Sequence, residues 1–378
     1  MLNPVPLTPE IEIPEPEPLP LIAADTTWHV PGDYATLAAA LDAARGKIPL
    51  PGVRLTIEMG AGVHDVASAY VLDAAFLPWV DIVGAAYTDT PSGGFDGVVS
   101  ATGGSGAWDV TYSFADLAPG AISVGDFVAL LFPRQGTLAV NAHHGLWEVM
   151  AVSPGTPGTV TLRNTATGTL SDADVLHSLA FLRKFPTRVR CADCGWLDLR
   201  NGSKLGMLRN IAAHFVGTAT GVSGIALSGG SECRSDPAEF ALGFNGFPGD
   251  QLALSGGSQW RGRVIVSGGG RISVKHSRFN GGAIATGNIF GEGIYVSGGT
   301  FESDGEFDSV LTAGNALGII ADTLGTVDAK SALFGGNMMG DVIASRQSRI
   351  EVPGAGVSGA VATPAFNTLG NDNSFIGG

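Results

Sequence analysis

The sequence predicts an all-β protein: a right-handed parallel β-helix carrying an N-terminal capping helix and a small inserted β-barrel or sandwich. Three observations predict it. A short phrase returns along the chain, as Gly224-Ile-Ala-Leu-Ser-Gly-Gly230, Gln251-Leu-Ala-Leu-Ser-Gly-Gly257, Arg263-Val-Ile-Val-Ser-Gly-Gly269 and Gly293-Ile-Tyr-Val-Ser-Gly-Gly299. In each, aliphatic residues alternate with residues free to face outward, the period of a strand with one buried face, and Ser-Gly-Gly supplies positive φ for a bend. The phrases also keep a pitch. Strand starts at Ile225, Leu252, Ile272, Ile294, Ile319 and Val342 are 27, 20, 22, 25 and 23 residues apart, with Val264 as a second strand inside its coil. A repeat of this length with no helical pattern reads as a solenoid, whose coils bury their apolar faces only by stacking. Composition agrees: 56 of 378 residues are glycine and 15% are charged, and no apolar run is long enough to span a bilayer, so the hydrophobicity goes into a core. A Gly-rich sandwich or propeller is the alternative, but no Trp-Asp type signature marks propeller blades.

In chain order, residues 1–25 form a Pro/Glu-rich segment, with Pro4, Pro6, Pro9, Pro14, Pro16, Pro18 and Pro20 among four glutamates. Such a stretch is extended and partly stiff. Leu7, Ile11, Ile13, Leu19 and Leu21 make it too apolar for a plain spacer, so it reads as a strap that docks on another chain. Residues 26–105 hold the capping helix and the first coils. Asp33 is placed to cap that helix, Leu37, Leu41 and Ala44 share one face, and Gly46 ends it. Strands beginning at Leu55 and Val80 are 25 residues apart, the pitch of the later coils. Residues 106–186 interrupt that pattern: Ile122–Phe132, Gly145–Val152 and Gly158–Asn164 read as antiparallel strands of an inserted domain. Residues 187–355 form the main β-helix. In the C-terminal cap, residues 356–378, Phe366, Leu369, Phe375 and Ile376 cover the last coil or pack between subunits.

The order Tyr34-Ala-Thr-Leu-Ala-Ala-Ala-Leu-Asp-Ala-Ala44, then Leu55-Thr-Ile-Glu-Met-Gly-Ala-Gly-Val-His64, then Val80-Asp-Ile-Val-Gly84 resembles the opening of the pectate-lyase-like β-helix superfamily. There a helix covers the first coil, which would otherwise expose core and strand edges. The insert, with its Val-Gly-Asp-x-Val, Gly-x-Trp-x-Val and Val-x-Leu phrases, resembles inserts in β-helix fibres of tailed phages. Taken together, the chain resembles a phage tail fibre or tailspike. That resemblance implies a homotrimer in the virion, on tail or head, whose N-terminus grips other virion proteins and whose body recognises a host surface glycan. The chain is short for a depolymerising tailspike and shows no evident intramolecular chaperone or triple-stranded stem. The N-terminus lacks the pattern of a secretory signal, so signal-dependent export is not expected.

Candidate chemistry is sparse. Glu302, Asp304 and Glu306, with Glu292 nearby in sequence, form the densest acidic stretch of the helix. Glycosidases need two carboxylates a few ångströms apart, and the same oxygens are a weaker Ca²⁺ candidate; a solvated bend is the plainer reading. No cofactor is expected. Trp260, Arg261, Tyr295, Phe244 and Phe247 are the candidates for stacking on sugar, or for packing in a core or trimer seam. Cys191-Ala-Asp-Cys194 is half of a zinc motif without its other half, and with Cys233 it makes an odd thiol count that closes no disulfide framework. His143 and His144 are adjacent and point to opposite faces of a strand, a poor chelate unless a three-fold axis gathers them. The aspartates and arginine base of pectate lyases match no run here, so no lyase residues carry over.

The net charge of −14 argues against nucleic acid. Three functions remain: a non-enzymatic fibre that binds a host polysaccharide, a tailspike that cleaves capsule or O-antigen, and a cellular pectate-lyase-like protein that acts on carbohydrate. The fibre is the leading expectation, because low charge, Gly-rich bends and the absence of a catalytic signature suit a stiff adhesin, while the strap, which has no evident use in a free monomeric enzyme, weighs against the cellular protein.

Overall fold

A computed structural model describes residues 20–90, 95–104, 106–131, 143–166, 170, 181–288, 292–303, 310–329, 332–335, 337–353, 362–365, 367–368 and 370–377. Its body is a parallel β-helix built from three long sheets. Sheet I runs from Thr26–Val30, Leu55–Met59 and Val80–Gly84 through Lys204–Arg209 and Gln259–Arg261 to Arg349–Glu351 and Phe375–Gly377. Sheet II runs from Gly62–Val66 and Thr187–Ala192 through Val264–Ser267 to Leu333–Gly335. Sheet III runs from Tyr70–Asp73 and Leu197–Arg200 through Ile272–Lys275 to Ala362–Thr363. Each coil visits the three in turn. The strand starts read from the phrase repeat are stacked neighbours in sheet III: Ile225 on Leu252, Leu252 on Ile272, Ile272 on Ile294, Ile294 on Ile319 and Ile319 on Val342.

Three of the four Ser-Gly-Gly phrases turn the chain from sheet III to sheet I, and the fourth, Ser267-Gly268-Gly269, leaves the sheet II strand Val264–Ser267. Gly229 and Gly230 have φ of 62° and 80°, and Gly256 and Gly257 have 62° and 83°. Two successive left-handed residues are cheap only for glycine. The serine that follows knits coils together: the Ser231 N–H donates to Ser258 Oγ and the Ser258 N–H to Ser277 Oγ, both at 3.2 Å. A second ladder closes the turn from sheet II to sheet III. There Gln251 Nε2 donates to Asn288 Oδ1 (2.8 Å), Asn288 Nδ2 to Asn315 Oδ1 (2.9 Å) and Asn315 Nδ2 to Asn337 Oδ1 (3.0 Å). Amides that bond one another from coil to coil hold the register, with Gln251 Oε1 at the start of the ladder left buried without a hydrogen bond.

The capping helix, Leu37–Arg45, buries Ala40, Leu41 and Ala44 on the first coil. Its cap is Thr36, whose side chain accepts from the Ala39 N–H at 3.2 Å. Asp33, the expected cap, instead accepts from the His29 N–H at 2.8 Å in the preceding turn.

Between the sheet I strand Val80–Gly84 and the sheet II strand Thr187–Ala192 the chain leaves the solenoid for an antiparallel sheet. Its seven strands are ordered Phe95–Gly104, Ala107–Phe114, Gly158–Asn164, Gly145–Ser153, Phe127–Leu131, Phe181–Lys184 and Thr88–Asp89. The excursion thus starts at Thr88 rather than at 106. The strand Phe95–Gly104 has too many small residues to show alternation. The insert makes a sandwich with the solenoid as its second layer: Val128, Leu130, Leu146 and Trp147 share one buried cluster with Ala212, Ile265, Ile284 and Leu311 from the outer side of sheet II. This explains why Val264–Ser267 and Ala283–Thr286 are buried along their whole length. Sheets of this kind, covered on both faces, lose the polar alternation. Among the described residues no helix is long and apolar enough to cross a membrane.

Candidate functional site

With the outer side of sheet II covered, the broadest polar face belongs to sheet I. Its strands in the main helix are three to six residues long, with one central residue pointing in. Cys233, Trp260, Phe279, Phe301, Val327 and Ile350 stack in register down the core, and the Phe279 and Phe301 rings lie parallel with centroids 4.7 Å apart. The flanking residues therefore face out as two ladders. One is Lys204, Glu232, Gln259, Arg278, Thr300, Thr326 and Arg349; the other is Met207, Arg234, Arg261, Asn280, Glu302, Asp328 and Glu351. At about 4.8 Å per rung, six steps run roughly 29 Å along the axis.

The ladders are braced by charge, both along and across. Lys204 Nζ meets Glu232 Oε1 at 2.9 Å, and Arg349 Nε donates to Glu351 Oε1 at 2.7 Å. Arg278 Nη2 donates to Glu302 Oε2 at 2.5 Å, and Asn280 Nδ2 to the same oxygen at 3.1 Å. At the upper end, Arg54 Nε donates to Asp81 Oδ2 at 2.7 Å, and an Arg234 amine lies 3.9 Å from Asp81 Oδ1. A groove of about 190 Å³ opens there, walled by Pro78, Lys204, Glu232, Arg234, Gln259 and Arg261.

The predicted site residues separate onto different faces. Glu302 lies on sheet I with Arg261 exposed two rungs above it, whereas Asp304 and Glu306 lie outside the described residues. Glu292 is on sheet III, paired with Arg271, which also reaches Asp250 at 3.0 Å. Tyr295 is on sheet III too, half-buried, with the Arg271 guanidinium 4.3 Å over its ring and its hydroxyl donating to Asp322 Oδ2 at 3.4 Å. That ring face is already taken.

Trp260, Phe244 and Phe247 are corrections: all three are 0% exposed in the core. Phe244 and Phe247 pack edge to face at 6.2 Å, and Trp260 is the inward residue of its strand, so no sugar reaches them. His143 and His144 are likewise buried, which removes them from any metal site shared across a three-fold axis. Burial pushes the Cys233 thiol up to about 12 and the Cys191 thiol higher still, so both are inert as thiolates. Among the described residues no group of three His, Cys, Asp or Glu side chains is arranged for a metal. Of the strap residues, Leu7, Ile11, Ile13 and Leu19 lie outside the described residues; Leu21 is exposed and pairs with Ile48.

Asp328 and Glu351 were not singled out from the sequence. They stack directly beyond Glu302, 26 and then 23 residues on, so the coil period was the signal that could have found them.

No family model and no curated protein matches the chain. Among solved structures it is similar to the tailspike protein gp49 from Pseudomonas phage LKA1, at 14% identity and a TM-score of 0.24 over 85% of this chain. The chain spans 60% of that tailspike. It is also similar to a structure described as the complex of XylC with xylose, at 10% identity and a TM-score of 0.23, over 88% of this chain and 68% of the other. Likenesses this distant say nothing about chemistry.

Proposed function

We propose that the chain is a virion fibre of the tail-fibre or tailspike type that recognises a host surface polysaccharide along the outer face of sheet I. The observation that carries this reading is the pair of in-register polar ladders. Donors and acceptors repeat there at one spacing over roughly 29 Å, on a scaffold whose rungs cannot slip. A polymer of repeating units can meet such a row at many points at once, and each weak polar contact adds to the others without any deep pocket. Glu302 and Glu351 hold Arg278 and Arg349 in place before a ligand arrives, which lowers the ordering cost of binding there. In this reading the chain is a homotrimer attached to other virion proteins through its N-terminal segment. The test is a panel of bacterial surface polysaccharides presented to the purified chain, together with its mass in solution. Binding to a subset and a mass near three times 38.5 kDa support the reading; a clean monomer that binds none sinks it.

A second reading has its own observation. Glu302 and Asp328 are one rung apart, near the ~5 Å that separates the carboxylates of retaining glycosidases. Against it, Glu302 and Glu351 are each engaged by an arginine, the use of a carboxylate as ion-pair partner rather than as proton donor. Shortening of a bound polysaccharide that disappears in both Glu302→Gln and Asp328→Asn would establish the depolymerase.

A further inference from the structure

Among the described residues the N-terminal end of the solenoid is incompletely closed. Sheet I starts one coil ahead of sheet II: Thr26–Val30 stacks on Leu55–Met59, whereas sheet II begins at Gly62–Val66. Among the described residues that strand pairs on one side only, with Thr187–Ala192. The Gly62 N–H donates to Pro186 O at 2.8 Å. Backbone groups alternate sides along a strand, so the N–H and C=O of Val63 and Asp65 point to the open edge. Beside that edge, under the first turn of the capping helix, lies a cleft of about 450 Å³, walled by Leu37, Met59, His64, Val66, Val189 and Trp196. Protein cores hold few voids larger than a water molecule, and a free strand edge is a template for another strand.

We propose that Glu10–Ile13 of this chain's own N-terminal segment adds a strand to the Gly62–Val66 edge and fills the cleft with Ile11 and Ile13. Three features choose this occupant. The first is proline. An added strand must donate N–H groups, and between Pro4 and Pro20 the longest run without proline is Glu10-Ile-Glu-Ile13. The second is period. Ile11 and Ile13 fall on one face and Glu10 and Glu12 on the other, which suits an edge whose inward residues His64 and Val66 stack on Val189 and Cys191 and whose outer side is solvent. The third is reach. The Pro20 carbonyl accepts from the Ile48 N–H at 3.1 Å, just past the C-terminal end of the capping helix, while the cleft lies at its N-terminal end. Nine helical residues span about 13.5 Å, and the seven steps from Ile13 to Pro20 reach about 23 Å. The mode is strand addition to a sheet edge, and it leaves Leu7 and the residues ahead of it for a partner in the virion. It does not depend on what sheet I binds.

Residue-resolved hydrogen exchange on the full chain tests it. The Val63 and Asp65 amides are expected to exchange at least about tenfold more slowly in the wild type than in Ile11→Pro, which removes a ladder donor, and than in Ile11→Asp with Ile13→Asp. Ile11→Val with Ile13→Val should keep the protection, and the Val264–Ser267 amides, deep in the solenoid, should be unchanged throughout and so report an intact fold. Exchange at the rate of an open edge in the wild type, or equal rates in wild type and variants, overturns the proposal. So does protection that vanishes on hundredfold dilution, because the strand would then come from a second copy.

Discussion

Two buried histidines, His144 in the insert and His214 where the solenoid meets it, make the fold sensitive to acid. His144 is buried, and desolvation, with His143 beside it, brings its pKa down to about 3; His214, on the outer side of sheet II, is brought down to about 4 by burial and by Arg188 and Arg190. The His214 ring stacks on Phe127 of the insert at 4.5 Å. The unfolded chain takes up these protons near pH 6.5 and the folded one does not. Stability is therefore unaffected above about pH 6.5, falls as pH drops below it, and levels off once the folded-state values of about 4 and 3 are passed. At pH 4.5, two units below the unfolded value, each histidine costs about 2–3 kcal/mol and the pair about 5 kcal/mol. The perturbation is a shift from pH 7.5 to 4.5; the assay is urea unfolding of wild type beside a His144→Leu, His214→Phe variant, which cannot titrate at these positions. The variant should lose about 5 kcal/mol less than wild type over that range. Carboxylates such as Asp193, held low by the Ala219 and Thr218 N–H groups that donate to it, act below this window and equally in both proteins. Identical pH dependence in the two proteins would refute the reasoning.

Other predictions concern the devices that hold the coils. Phe279→Ala removes a fully buried ring stacked on Phe301 and should cost about 3–5 kcal/mol, read from the urea midpoint. Asn315→Ala strips the acceptor from Asn288 and the donor from Asn337, and should cost about 2–4 kcal/mol with faster exchange of the Asn288 amide. Leu324 occupies the place of the glycines at φ 64° and is well exposed, so Leu324→Gly should raise stability by up to about 1 kcal/mol in the same assay.

Sheet III was the most legible part of the chain, because three of its strands alternate cleanly and end in Ser-Gly-Gly. Where that phrase is replaced by Thr323-Leu324 or Arg346-Gln347, the same left-handed turn persists, with φ between 47° and 65° at all four residues. No turn chemistry in the sequence announces it there. Sheet I was harder to read. A strand such as Gln259-Trp260-Arg261 has one inward residue, and a tryptophan between two polar neighbours looks like a sugar platform until the coil is closed and turns it into the core. Sheet II misleads in the opposite way, since its outer residues are apolar only because the insert covers them. The acidic stretch around Glu302 was visible, but its neighbours in space were not. Asp328 and Glu351 join it only when coils of unequal length are laid in register, and unequal coil lengths hide a contact that a strict repeat would reveal.

The central claim, that the outer face of sheet I binds a polysaccharide, meets its most direct test in the affinity of the purified chain for a bound polysaccharide before and after Arg234→Glu with Arg261→Glu. These arginines are neighbours on one ladder, outside the core, and wall the same groove. Losing charged hydrogen bonds worth about 1.5–3 kcal/mol each predicts an affinity at least about tenfold weaker, with the unfolding midpoint near that of wild type. Undiminished binding by the folded variant would contradict the account and move recognition to another face.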